Sequence, residues 1–227
     1  MALDVSLPQA WLTTSATLTI NEGTRAKVLV DKQVANAPLL GGARVIDGQI
    51  SSTDGTARSA IIWQGEELTL AANMGTASFA TSSTATRSVG DFLADGWRPG
   101  DAAMVIHGPT GPYAGTAANY GTLVQITGVA AGTLTVNGTP FTAEAFQGGA
   151  RLVRVSQRTR LPVAINAGNA DATPPVALMT GTQNPSSAAL PDTGWQLGPN
   201  SMILVSLAVA ASALPARVDF NAAIARY

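Results

Sequence analysis

The chain of 227 residues is 46% hydrophobic and only 12% charged, with mean hydropathy +0.20; this excludes intrinsic disorder, which needs few apolar residues and much charge. A net charge of −1 excludes a whole-molecule field that would attract DNA, RNA or an acidic membrane. With no cysteine, disulfide staples, thiolate catalysis and Cys-rich zinc sites are excluded as well.

Glycine (23) and proline (13) recur every several residues, leaving few windows long enough for a stable helix. Short β-branched runs between these breaks read as strands. Met1 to Pro8 carries Asp4 and no basic run, so no signal peptide is expected there, and Met1 to Trp11 reads as an extended arm. Trp11 is the candidate for docking that arm on a neighbour. Strands are expected at Ala16–Ile20, at Ala26–Asp31, where Val28 and Val30 share a face, and at Ala60–Trp63, with Trp63 in the core. Glu66 and Glu67 follow Gly65 and read as a solvated turn, with a further strand over Glu67–Ala71.

The one helical signal is Ser88 to Gly96. Ser88 stands as N-cap, Asp91 takes the capping-box position, and Gly96 is placed for a left-handed stop. Trp97 then enters the core, and Arg98-Pro99-Gly100-Asp101 predicts a turn. Pro99 presets φ, Gly100 takes φ above zero, and the Asp101 carboxylate accepts backbone N–H groups. A strand is expected at Ala102–His107, followed by a glycine-rich loop to Gly121. That loop has no Lys and no G-K-[ST], so phosphate cradling has no support, while Tyr113 and Tyr120 read as aromatic anchors for another subunit.

Strands follow at Gly121–Val129 and Thr133–Val136, with Leu134 and Val136 on one face, and then at Ala150–Ser156. Arg151, Arg154, Arg158 and Arg160 form the densest charge cluster. Arg151 and Arg154 differ in strand parity, so the four do not share a face. They read either as solvated strand charges or as forks meeting carboxylates of a neighbour. Arg outnumbers Lys 11 to 2, a bias that suits interfaces and equally reflects GC-rich coding. Leu161 to Pro191 is a Pro/Asn/Gly-rich connector, and Trp195 reads as core. Ser201 to Leu214 is apolar but too short to span a bilayer before Pro215. Its strand is expected at Met202–Val209, and the last at Arg217–Ala225.

Catalytic constellations are not found. His107 is the single histidine, so a transition-metal site would need an unusual carboxylate set, and no G-x-S-x-G elbow accompanies it. Asp91, Asp95 and Asp101 read as turn acids and not as a catalytic or calcium-binding set, since no D-x-D-x-D-G loop is present. No enzymatic site, cofactor or metal is expected.

These elements predict an all-β fold: a β-barrel or β-sandwich module with an N-terminal arm and a C-terminal β extension, and at most one or two short helices. The chain divides into residues 1–75 (arm and first sheet), 76–157 (a small barrel module) and 158–227 (connector and closing strands, able to pack with 1–75).

The ordered set Phe92, Gly96-Trp97, Gly100-Asp101, the strand to His107, Ile126-Thr127-Gly128-Val129 and Leu134-Thr135-Val136 resembles a small β-barrel module of tailed-bacteriophage virion proteins. The resemblance covers Thr84 to Val155 and brings no catalytic residues. It implies a head-decoration, tail-tube or tail-adaptor role. The expectation is a capsid decoration (cement) protein in the virion, assembled in the bacterial host cytoplasm. Its partners would be copies of itself in a symmetric homo-oligomer and the major capsid protein or other virion subunits, without direct nucleic-acid or membrane contact. A tail-tube or tail-adaptor subunit is the alternative, and a jelly-roll carbohydrate-binding or hydrolytic module the third reading.

Overall fold

The computed structural model describes residues 9–18, 24–31, 43–52, 58–69, 77–81, 83–107, 119–146, 150–163, 176–179, 195–197, 200–208 and 216–226, with side chains described over 24–29, 60–69, 83–106, 119–143, 151–157 and 200–208. Among the described residues the chain is all β and contains no helix. The strands are β1 (Gln9–Leu18), β2 (Lys27–Asp31), β3 (Ala43–Ser52), β4 (Arg58–Glu66), β5 (Ala77–Thr81), β6 (Thr84–Arg87), β7 (Ala102–His107), β8 (Leu123–Ala130), β9 (Thr133–Val136), β10 (Glu144–Phe146), β11 (Ala150–Val163), β12 (Val176–Met179), β13 (Trp195–Leu197), β14 (Ser201–Leu207) and β15 (Ala216–Arg226).

Two antiparallel sheets result. The larger has ten strands in the order β10-β5-β6-β9-β8-β7-β11-β4-β14-β2, and the smaller runs β1-β15-β3-β12 with β13 also on β3. No pairing joins β10 to β2 among the described residues, and closure into a barrel is not shown. All strands between residues 77 and 146, with the first part of β11, form one unbroken run of the large sheet. β4, β14 and β2 extend it beyond the expected module boundaries, and β11 itself crosses residue 157. Gln9–Trp11, expected in a free arm, belong to β1 and pair with Ala223–Ala225 of β15.

Burial follows strand parity. On β7, Ala103 and Val105 enter one apolar cluster, while Met104 and Ile106 enter a second on the other face. β11 does the same with Leu152 against Val153 and Val155. Every residue of β14 is buried, as its near-continuous apolar sequence requires of a strand covered on both faces. Towards β9 the sheet covers only one side: Val124, Ile126, Leu134 and Val136 point into the first cluster, and Leu123, Gln125, Thr127 and Thr135 face water. Phe92, Trp97 and Phe141 close that cluster from the connecting segments.

Within Ser88–Gly96 the expected helical turn is present as a single turn: Asp95 N–H donates to the Asp91 carbonyl (3.0 Å), and Gly96 N–H to Leu93 (3.1 Å) with Trp97 N–H to Phe92 (3.1 Å) close it in the left-handed glycine stop. Gly90 (φ 84°) and Gly96 (φ 95°) take left-handed conformations at its two ends, and the span between them is too short to propagate a helix. Asp91 caps this turn: its Oδ1 accepts the N–H groups of Leu93 (2.7 Å) and Ala94 (3.3 Å). The strand expected over Glu67–Ala71 is also corrected. β4 ends at Glu66, and Leu68 and Thr69 lie in a bend.

Candidate interface cleft

Glu66 and Arg154 lie directly opposite each other across the β4–β11 pair, as do Gln64 and Ser156 one pleat further on. Two residues along a strand return to the same face, so these four side chains form a polar floor. Asp101 and its neighbours Gly100 and Ala102 supply a wall, and the resulting cleft has a volume of about 480 Å³. The wall is held by its turn. Gly100 takes φ 97°, Asp101 N–H donates to the Arg98 carbonyl (3.1 Å), and Arg98 N–H donates to Asp101 Oδ2 (2.8 Å). Gly100 N–H to the Ile126 carbonyl and Ile126 N–H to the Asp101 carbonyl, both 2.8 Å, fasten this turn to β8. The roles expected for Gly100 and Asp101 are therefore the ones observed.

Within the cleft Arg154 Nη2 meets Glu66 Oε2 at 2.5 Å, with the two side chains 36% and 47% exposed. Such an exposed pair contributes about 1 kcal/mol or less to stability. Glu66 and Asp101 against the single Arg154 leave the lining one negative charge in excess.

The four arginines have different fates. Arg151 is corrected as an interface residue: its side chain is fully buried and its Nη2 meets Glu67 Oε2 at 2.7 Å, with Glu67 equally buried. The turn expected to solvate Glu67 instead places a carboxylate inside the protein, where only an opposite charge and further hydrogen bonds make burial tolerable. Arg154 faces the cleft. Arg158 lies where the β11–β4 register shifts, between Gln157 and Thr159, and Arg160 pairs with Ile61, but the side chains of both are outside the described residues.

Among the aromatic candidates, Tyr120 is corrected from a loop-tip anchor. It is half-buried, bridges to Val105, and packs against both apolar clusters. Trp11 has its backbone in β1 opposite Ala223, with its side chain outside the described residues, and Tyr113 lies outside them altogether.

A second polar cluster, which spacing alone did not reveal, ties the turns to the core. Arg87 Nη1 donates to Asp95 Oδ2 (2.5 Å), and its guanidinium lies 4.2 Å over the Phe92 ring. Thr69 Oγ1 donates to Asp95 Oδ2 (2.5 Å) and accepts from Trp97 Nε1 (3.0 Å). This buried arginine fixes the turn geometry. It was illegible because its partners are 8 and 18 residues away on other elements.

Among the described residues, no group of three or more His, Asp or Glu side chains is placed to hold a metal ion, and no helix is long and apolar enough to cross a membrane. The His107 side chain is outside the described residues. The chain matches no family model, no curated protein and no solved structure.

Proposed function

We propose that the chain is a structural subunit of a tailed-phage virion, a capsid decoration protein that stabilises the head lattice by packing against it and against copies of itself. One observation supports a structural use over a chemical one. Every carboxylate whose side chain is described is engaged within the chain: Glu66 with Arg154, Glu67 with Arg151, Asp95 with Arg87, Asp91 with two turn N–H groups and Asp101 with a third. A glycosidase of the paired-carboxylate kind needs two convergent acids free to exchange protons with substrate, and each of these five instead holds a strand or a turn in place.

The low charge and high apolar content fit a subunit covered by neighbours, where many modest contacts are multiplied by a lattice. Strands β6, β9, β8, β7 and the start of β11, all within the Thr84–Val155 segment that carries the phage-module resemblance, are neighbours in the large sheet, which suits a compact building block.

The test is location. Antibody label against this chain, viewed by electron microscopy of the source particle, is expected on the shell. Label along a tube, or purified protein that polymerises into hollow rods, would replace decoration with the tail-tube reading. Turnover of a polysaccharide that vanishes on changing one carboxylate would remove both.

A further inference from the structure

Arg98 is exposed on the rigid turn that walls the cleft, three residues before Asp101, and its side chain makes no hydrogen bond or ion pair among the described residues. An exposed arginine whose side chain has no partner among the described residues thus stands on the same turn as Asp101, which lines a cleft with excess negative charge. A two-fold interface requires a single patch to carry both members of each contact, so that residue i meets j and j meets i. We infer that this patch docks on the same patch of a second copy, each Arg98 entering the other copy's cleft against Glu66 and Asp101.

The chemistry fits residue by residue. Glu66 uses Oε2 for Arg154 and Asp101 uses Oδ2 for the Arg98 N–H, and each carboxylate has a second oxygen to offer a planar guanidinium. The turn is held at both ends of its hydrogen-bond network before any partner arrives, which lowers the ordering cost of binding. A second copy is favoured over an unrelated partner because donor and acceptor sites are both supplied here in matching number.

This inference rests on the self-assembling subunit proposed above, and charge exchange separates the two. Self-association of the full chain is measured by sedimentation velocity for wild type, Arg98→Glu, Glu66→Arg and an equimolar mixture of the two variants, with thermal melting of each confirming its fold. Wild type is expected to dimerise, and each variant alone to weaken association by about tenfold or more, because both symmetric contacts become like-charged. The mixture is expected to recover association, since in the mixed dimer the reversed residue 98 of one copy meets the reversed residue 66 of the other and both contacts are again attractive. A melted variant is replaced by Arg98→Ala, which removes the charge from an exposed side chain and is also expected to weaken association. Wild type that dimerises with unaffected variants, or variants that weaken it without recovery on mixing, overturns this contact and leaves the subunit reading standing. Wild type that stays monomeric at every concentration overturns both.

Discussion

Glu67 and Arg151 have their charges withdrawn from water on both sides, so neither can lose the other without leaving an uncompensated ion in the interior. Glu67→Gln is expected to lower unfolding stability by about 3–5 kcal/mol in urea denaturation, whereas Glu66→Gln, breaking the exposed pair beside it, should cost about 1 kcal/mol or less. Two adjacent glutamates with matching arginine partners thus differ several-fold in consequence, solely through burial. A similar contrast holds among glycines. Gly121 takes φ 71°, and a Cβ there would lie 2.2 Å from the Ala26 carbonyl oxygen, at the point where Ala26 N–H donates to the Gly121 carbonyl. Gly121→Ala is expected to cost more than about 3 kcal/mol, since backbone strain and a clash with main chain coincide. At Gly65 an added methyl would meet side chains, Leu204 Cδ1 and Met202 Cγ at 2.8 Å, and not main chain, so the overpacking cost should be about 1–3 kcal/mol.

Strands were legible where side chains alternate or run apolar. The bounds expected for β7 and β9 are those observed, and β14 and β15 are displaced by only one or two residues. β5 and β6 were not expected, because Ala-Ser-Phe-Ala-Thr and Thr-Ala-Thr-Arg are short and carry little apolar signal, and their pairing with β10 and β9 makes them strands. β3 has no clear strand signal of its own, because Asp47 and Gly48 interrupt its pattern, and cross-strand partners on β15 and β12 hold it extended. The single helical turn Asp91–Gly96 was legible because its glycine stop is a local signal, and it goes no further because Gly90 and Gly96 bound it. Asp91→Ala should remove the side-chain acceptor of the Leu93 and Ala94 N–H groups and cost about 1 kcal/mol in thermal denaturation. Leu134→Ala, which opens a cavity in the cluster sealed by Phe92 and Trp97, is expected to cost about 2–5 kcal/mol.

For the whole molecule, charge that stays in water and charge that leaves it should answer differently to salt. Exposed charges are screened over about 10 Å at 0.1 M ionic strength, and buried ones much less. Raising salt is therefore expected to weaken the proposed self-association through Arg98 and the Glu66–Asp101 cleft in sedimentation, while the denaturation midpoint changes little, because Arg151–Glu67 and Arg87–Asp95 lie inside or nearly so. The all-β class and the Gly100 and Asp101 turn chemistry followed from composition and local periodicity alone, because they depend on backbone preference over a few neighbouring residues. Which arginine is buried and which faces the cleft was decided only by the fold. Arg151 and Arg154 find their carboxylates 84 and 88 residues away, and no local pattern can tell whether a strand delivers the opposite charge to the interior or to the surface.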